Sequence, residues 1–192
     1  MADARTALFV IDIQNDLARD PNTQIPHADR VVSAGREILP SARRAIANAE
    51  AKGARSPLTI VFVQHEEDDG PLLRGSEAWG LVFPPQPGAH EERLVAKTTR
   101  DTFDSNPNLA QKLRDDGVAR IVAFGIQSEC CVLSTCRGAL EAGFQVTLLR
   151  GAHSTYDSDG KSAVEIEREV ESELQAKGAQ ICSWEDASKL WE

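Results

Sequence analysis

The sequence predicts an α/β fold: a doubly wound, mostly parallel sheet with helices packed on both of its faces. Three observations support this prediction. Short runs that are apolar throughout, such as LTIVFVQH, alternate with helical patterns along the chain, and such strands are typical of a parallel sheet covered on both sides. Several helical patterns end at a glycine, a residue that commonly terminates helices. The length of 192 residues suits one domain, which we expect to span residues 1–192.

These patterns place the elements in order. The apolar runs predict strands at residues 7–12, 58–65, 93–97, 120–126, 144–152 and, as an edge strand, 179–184. The periodic segments predict helices at residues 28–52, 108–117, 131–143 and 162–178. The segment 66–92 is rich in glycine and proline and predicts a long loop. Long loops in compact domains are usually functional or disordered.

Composition and charge argue against several classes of function. The chain has 21 basic and 30 acidic residues and a net charge of −9, which is unfavourable for binding nucleic acid or an anionic membrane surface. No apolar run is long enough to span a bilayer, and the first residues lack the order of a secretory signal. We therefore expect a cytoplasmic protein. Its four cysteines form no C-x-x-C pair, and a reducing compartment predicts four free thiols.

Chemically active residues stand at the carboxyl ends of three predicted strands. Asp12 ends the first strand, Lys97 ends the third, and Cys130 and Cys131 follow the fourth. The carboxyl ends of parallel strands lie at one edge of the sheet, where such folds bind ligands. Each residue alone is more simply explained as a cap, a loop residue or a solvated strand end. Together, a carboxylate, an ammonium and a thiol at one edge favour acid–base and nucleophilic chemistry.

The position of the cysteine pair is consistent with that chemistry. Ser128 is predicted to cap the helix after the fourth strand, which places both cysteines in its first turn. Unpaired backbone N–H groups there would lower a thiol pKa and hold a developing oxyanion. Asp12 would accept the thiol proton, and Lys97 would keep Asp12 ionised. Adjacent cysteines are also compatible with packing residues, a metal pair or an oxidised pair.

Three segments of the sequence resemble the isochorismatase-like cysteine hydrolases. ALFVIDIQNDL resembles the opening strand of that superfamily, LVAKTTRDTF its central lysine segment, and GIQSECCVLSTCRGALEAGFQVTLL its nucleophile segment. The resemblance covers residues 7–152, which is most of the chain. It implies the three-layer, Rossmann-like α/β fold of the superfamily.

The resemblance also implies roles for particular residues. The catalytic residues would be Asp12, Lys97 and Cys131, because the nucleophile of the superfamily is the cysteine that precedes a valine. The backbone N–H groups of Gln127 and Cys131 would form the oxyanion hole. A cis peptide bond that does not involve proline is implied between Ile126 and Gln127.

The segment after the second strand concerns a possible metal. Nicotinamidases of the superfamily carry an Asp-x-His…His zinc site there, whereas this chain reads QHEEDDG, with Val63 two residues before His65. The resemblance therefore implies the metal-free amidohydrolase branch, with no cofactor. His65 is expected to order the loop through hydrogen bonds. His90 and His153 are expected at the surface or at strand ends.

Three further residues are candidates for contact with a substrate. Gln14 lies beside Asp12 in the strand-to-loop turn, Trp79 belongs to the long loop, and Phe103 follows the lysine segment. For Trp79, packing in the core is an almost equally good explanation.

The function that we predict is cysteine-dependent hydrolysis of a small amide or a related C–N bond through a thioester. The partners would be a small-molecule substrate and further copies of the chain, as a dimer or tetramer; no nucleic-acid or membrane partner is expected. Three alternatives stay open. They are a catalytically silent binding or effector module, a hydrolase of a vinyl ether as in isochorismatases, and a redox protein that uses Cys130 and Cys131 as a sensor pair.

Overall fold

A parallel sheet forms the centre of the computed structural model, which describes residues 4–191. Within that range the sheet has six strands in the order β3-β2-β1-β4-β5-β6, and every neighbouring pair is parallel. The strands are β1 (Arg5–Ile11), β2 (Leu58–His65), β3 (Glu92–Lys97), β4 (Val118–Ile126), β5 (Gln145–Ser154) and β6 (Gln180–Ser183). The predicted strands are therefore confirmed. The order reverses between β1 and β4, and ligand sites of such sheets lie at this switch point.

Helices cover both faces of the sheet, as the sequence predicts. They are α1 (Asn15–Ala18), α2 (Ala28–Ala51), α3 (Thr102–Ser105), α4 (Leu109–Asp115), α5 (Leu133–Glu141) and α6 (Ala163–Ala176). The sequence patterns did not predict the four-residue helices α1 and α3 or the 3₁₀ turn Trp184–Leu190. The helix predicted to begin at residue 131 begins instead at Leu133, because a π-helical turn, Ser128–Val132, precedes it.

The two faces of the sheet have separate hydrophobic cores. Along β1, Leu8 and Val10 pack in the layer formed with α1 and α2, whereas Phe9 and Ile11 pack in the layer formed with α3 to α6. All seven residues of β1 are buried. This alternation between two buried faces explains why the strands are apolar throughout rather than at every second residue.

A glycine lets β4 pass close to the end of β1. Gly125 has a φ of +143°, and a Cβ atom at this position would lie 2.0 Å from the carbonyl oxygen of Ile11. A side chain is therefore excluded on steric grounds. The close approach brings the turn after β4 beside Asp12, which follows β1.

The segment between β2 and β3 is a long loop, as predicted. It contains no helix and no strand of the main sheet, and it makes isolated bridges between Gln14 and Leu81 and between Glu67 and Leu73. Leu81 and Phe83 pack against the core layer of α2. In residues 4–191, no helix is long and apolar enough to cross a membrane.

Candidate active site

Asp12 and Lys97 form a buried ion pair at the carboxyl edge of the sheet. Asp12 follows β1 with a φ of +49°, and its backbone N–H donates to the carbonyl oxygen of Val63 at 3.1 Å. Lys97 ends β3, so its side chain crosses the end of β2 to reach Asp12. The distance from Lys97 Nζ to Asp12 Oδ2 is 2.8 Å, and the two side chains are 0 % and 2 % exposed. Both side chains are shielded from solvent, so each charge needs the other, because either charge alone would be costly to bury.

The same ammonium contacts the predicted nucleophile. Lys97 Nζ donates to Cys131 Sγ at 3.2 Å and to the carbonyl oxygen of Thr99 at 3.1 Å. The structure thus brings together the three residues that the sequence placed at separate strand ends. Cys131 is half-buried as a residue, whereas Asp12 and Lys97 are buried.

Burial and neighbouring charges shift the pKa values of Lys97 and Cys131. Burial is the largest influence on Lys97 and lowers its pKa, but the neighbouring acidic groups Asp12 and Cys131 outweigh burial and raise it overall. Burial, followed by the charge of Asp12, raises the pKa of Cys131 well above its ordinary value, and Lys97 offsets only part of this. The expectation of a lowered thiol pKa is therefore wrong. The resting group is a thiol, which becomes a nucleophile only when a base takes its proton.

The turn between β4 and α5 holds this thiol. It begins with the cis peptide bond Ile126–Gln127 that the resemblance implied. The N–H groups of Cys130 and Val132 donate to the carbonyl oxygen of Gln127 at 3.2 and 3.1 Å. The π-helical turn that follows carries Cys130 and Cys131 on successive positions.

Ser128 does not cap the helix, contrary to the prediction. The cap position is occupied by Gln127, which makes no side-chain cap hydrogen bond. Ser128 Oγ lies instead 2.8 Å from His153 Nδ1. His153 was expected at the surface or a strand end; it lies near the end of β5 but is fully buried, with Nε2 3.5 Å from Glu171 Oε1. Ser128 does not cap the helix because the tertiary structure offers its hydroxyl another partner. This partner is His153 on β5, which in turn faces Glu171 on α6.

The two adjacent cysteines have different surroundings. Both residues are half-buried, and burial raises the pKa of both thiols. Cys131 contacts Lys97 Nζ and has Asp12 as its acidic neighbour, whereas the acidic neighbour of Cys130 is Glu129. The remaining two cysteines lie elsewhere. Cys136 is buried in the core, where burial raises its pKa to about 12, and Cys182 Sγ donates to the carbonyl oxygen of Ser183. All four thiols are free.

Gln14 supports the site instead of lining it. Its amide nitrogen donates to the carbonyl oxygens of His65 and Trp79 at 2.9 and 2.8 Å, and its amide oxygen accepts from the N–H of His65 at 3.0 Å. The residue is fully buried. The predicted contact with a substrate is therefore corrected, because these bonds tie the ends of β1 and β2 to the long loop. Trp79 itself is half-buried, and its role as a pocket wall stays a prediction.

Phe103 is a core residue, not a wall of the site. Its ring lies 5.9 Å from the ring of Phe9 and 6.1 Å from that of Phe144, between centroids. All three rings belong to the core layer of α3 to α6. The prediction placed Phe103 beside Lys97 on sequence distance, but α3 directs its side chain into this core layer.

His65 belongs to the site, although the sequence predicted only a loop-ordering role. Its Nδ1 lies 3.2 Å from Lys97 Nζ. Burial and then the charge of Lys97 lower its pKa, which favours the neutral ring. One signal in the sequence could have revealed this position. His65 ends β2 and Lys97 ends β3, and the register of the two strands makes them partners.

The comparison with known proteins decides the family. The family model described as Isochorismatase domain matches residues 6–186. The chain belongs to the isochorismatase family. A streptothricin hydrolase of Streptomyces noursei is 36% identical over 152 residues, which are 79% of this chain and 55% of that protein. The chain spans about half the length of the two streptothricin hydrolases that it matches.

Two solved structures share the fold of this chain. A cysteine hydrolase from Pseudomonas syringae pv. phaseolicola has a TM-score of 0.80 at 18% identity, over 99% of this chain and 93% of that one. The pyrazinamidase of Pyrococcus horikoshii in complex with zinc has a TM-score of 0.68 at 24% identity, over 93% and 99% of the two chains. At these identities the likeness concerns the fold alone.

The zinc in that relative raises the question of a metal in this member of the isochorismatase family. Possible ligand atoms of Asp12, His65 and Cys131 lie within 4.8 Å of one another. The ammonium of Lys97, however, lies 2.8 to 3.2 Å from a ligand atom of each. A cation would have to occupy space next to a buried positive charge, so these residues do not suit a metal ion in this arrangement.

Proposed function

We propose that this protein is a cysteine hydrolase that cleaves a small amide or a related C–N bond through a thioester intermediate. The observation that carries the proposal is the contact of one buried ammonium with a carboxylate at 2.8 Å and with a thiol at 3.2 Å. A nucleophile, a base within reach and a third group that orients them are the parts of covalent acyl transfer. The name of one relative, a streptothricin hydrolase, supports an amide-type substrate.

In the first half of the reaction, Cys131 Sγ attacks the carbonyl carbon of the substrate while its proton passes to Asp12. Lys97 lowers the cost of the negative charge that forms on sulfur. The carbonyl oxygen becomes an oxyanion, which the backbone N–H groups of Gln127 and Cys131 are proposed to hold. The C–N bond then breaks, and Asp12 returns the proton to the leaving nitrogen.

In the second half, water attacks the thioester carbon and Asp12 takes a proton from that water. The C–S bond breaks, the acid leaves, and the sulfur regains its proton from Asp12. The raised pKa of Cys131 suits this cycle, because the thiol is protonated both before the first attack and after the last step. Asp12 thus accepts and returns one proton in each half of the reaction and is unchanged at the end.

Trp79, half-buried in the long loop, is the residue that we propose as a wall of the substrate pocket. The proposal further includes assembly as a homodimer or homotetramer. Vinyl-ether hydrolysis is a weaker candidate, since a carbonyl carbon is the natural target of a thiol activated by a carboxylate.

The test is a substrate panel with ureido acids, carbamoyl compounds, lactams, nicotinamide and streptothricin, followed by ammonia release and by product mass. We expect at least one member to be turned over by the wild-type protein and by Cys130→Ala, but not by Cys131→Ala. The mass of a trapped acyl-enzyme should map to the peptide that holds Cys131. Turnover by Cys131→Ala would refute the nucleophile. Failure of the whole panel with the folded wild type would favour a binding module.

A further inference from the structure

His65 lies where it can control the lysine of the candidate active site. We propose that neutral His65 is a positioning residue, which accepts a hydrogen bond from Lys97 and directs its ammonium, and that protonation of His65 at acid pH switches the site off. The inference rests on the proposed function for its effect on turnover. The contact itself is a property of the folded chain.

The backbone of His65 is held from both sides. Gln14 donates to its carbonyl oxygen and accepts from its N–H, at 2.9 and 3.0 Å. The next N–H along the chain, that of Glu66, donates to the carbonyl oxygen of Lys97 at 2.9 Å. The ring therefore extends from a fixed point of the backbone beside the strand that carries Lys97.

Four acceptor atoms compete for the three protons of the Lys97 ammonium. Besides Asp12 Oδ2 at 2.8 Å, they are the carbonyl oxygen of Thr99 at 3.1 Å, His65 Nδ1 at 3.2 Å and Cys131 Sγ at 3.2 Å. The sulfur is the weakest acceptor while it carries its own proton. In the resting protein His65 therefore takes the larger share of the third N–H of Lys97, which also lies 3.2 Å from the sulfur. When the thiolate forms, that N–H turns to the sulfur, which has become the stronger acceptor.

Only the neutral ring can play this role. Nδ1 accepts when the proton sits on Nε2, and Nε2 faces the carboxylate of Glu67, with Oε1 at 3.7 Å. The charged or titratable groups that influence the ring are Lys97 from β3, Asp12 from β1, and Glu66 and Glu67 from the loop; Cys131 lies near it in the π-helical turn. Burial and Lys97 lower the pKa of His65 in spite of the three carboxylates.

The sign of the pH effect follows from this balance. With a lowered pKa, His65 is neutral at pH 7 and takes up a proton only below its ordinary value of 6.5. Protonation removes the acceptor and places a second cation 3.2 Å from Lys97 Nζ. The ammonium must then move away or lose its alignment with Asp12 and Cys131. Turnover should therefore fall on the acid side, and the part of native-state stability that His65 contributes should be lost there too.

The first experiment observes the ring directly by nitrogen-15 NMR of the full chain labelled at its four histidines. At pH 7.5 we expect the His65 signal to show a bare Nδ1 and a proton on Nε2, with a pKa below 6.5. Lys97→Met should raise that pKa, whereas Lys52→Met, at an exposed position on the opposite end of the fold, should not change it. A proton on Nδ1 at pH 7.5, or a pKa unchanged by Lys97→Met, would overturn the proposal.

The second experiment measures kcat and KM between pH 5 and 9. His65→Asn places an amide oxygen near the position of Nδ1 and cannot titrate, so it should keep kcat within about threefold and extend activity to lower pH. His65→Ala should lose about ten- to a hundredfold in kcat, the usual range for a hydrogen bond to a charged group. His90→Asn, at an exposed site, is the matched control. Equal kcat in His65→Asn and His65→Ala, or an unchanged acid limb in His65→Asn, would refute the role.

These two experiments separate this inference from the proposed function. The NMR result needs no turnover. If His65 titrates as expected but no amide is hydrolysed, the hydrogen bond stands and the proposed reaction fails. If amides are hydrolysed but Lys97→Met leaves the His65 pKa unchanged, the reaction stands and the positioning role fails.

Discussion

Two buried polar clusters flank the turn that carries Cys131, and they differ in how their charges are matched. The front cluster consists of Asp12, His65, Lys97 and Cys131. The rear cluster consists of Ser128, His153, Glu167 and Glu171, on the side of β5 and α6. In the front cluster a single ammonium serves a carboxylate, a thiol and an imidazole. In the rear cluster each carboxylate has its own guanidinium, with Arg150 at 2.8 Å from Glu171 and Arg30 at 2.5 Å from Glu167.

The difference supports the front cluster as the proposed reactive centre. In the rear cluster His153 is fully buried, and Ser154 Oγ also donates to Glu167. Charges paired in this way stabilise one conformation. In the front cluster Cys131 is half-buried, and burial followed by the charge of Asp12 raises its pKa strongly. Perturbed groups in a partly open site are the expected mark of a reactive centre.

The largest expected effect comes from removing the shared ammonium. Lys97→Met should reduce turnover by about a thousandfold, within the range of acid–base and charge-stabilising groups. It should also lower the free energy of unfolding by about 3 kcal/mol, because Asp12 would be left as a buried unpaired charge. Enzyme assay and urea unfolding measure the two effects. Lys112→Met on α4 is the exposed control. Equal turnover and equal unfolding free energy in the two variants would contradict the role of Lys97 in the front cluster.

A second variant should separate turnover from thiol reactivity. Asp12→Asn removes the base, so turnover should be lost. The same change removes a charge that raises the pKa of Cys131, so alkylation of that thiol by iodoacetamide should become faster, by about tenfold for each pKa unit recovered. Peptide mass mapping between pH 6 and 9 follows the reaction. The wild-type thiol should react slowly at pH 7. Slower alkylation in Asp12→Asn would mean that Asp12 does not act on the sulfur.

The smallest effect on turnover is expected in the rear cluster. Ser128→Ala leaves His153 Nδ1 buried without its partner, which should cost about 1–3 kcal/mol in the free energy of unfolding. Turnover should fall by less than tenfold, since no reacting atom is removed. Thermal unfolding and kcat measure the two quantities, with exposed Ser172→Ala as the control. A loss of turnover as large as that of Lys97→Met would assign catalytic work to both clusters.

Much of the fold was predictable because its signals are local. The apolar runs are strands buried on both faces, and glycines lie just beyond the helices, so the strands and the long helices could be placed. The meeting of Asp12, Lys97 and Cys131 was predictable for a topological reason, since parallel strands share one carboxyl edge. The four-residue helices α1 and α3 could not be predicted, because so short a segment has no periodicity.

Three of the errors about the site have one cause. Gln14, Phe103 and Ser128 were given roles from their neighbours along the chain, but their partners come from other elements. Gln14 binds the end of β2 and the long loop, Phe103 stacks on β1, and Ser128 binds β5. Sequence distance does not report such contacts.

The sequence by itself determined the α/β class, the order of the elements and the three residues of the proposed reaction. Only the tertiary structure decided the chemistry of those residues. It places His65 against Lys97. It also raises the pKa of Cys131, whereas a position in the first turn of a helix predicted a lower pKa. The physical reason is that apolar periodicity is a local property of the sequence. The burial of a thiol and the charge next to it depend instead on strands that are distant in sequence.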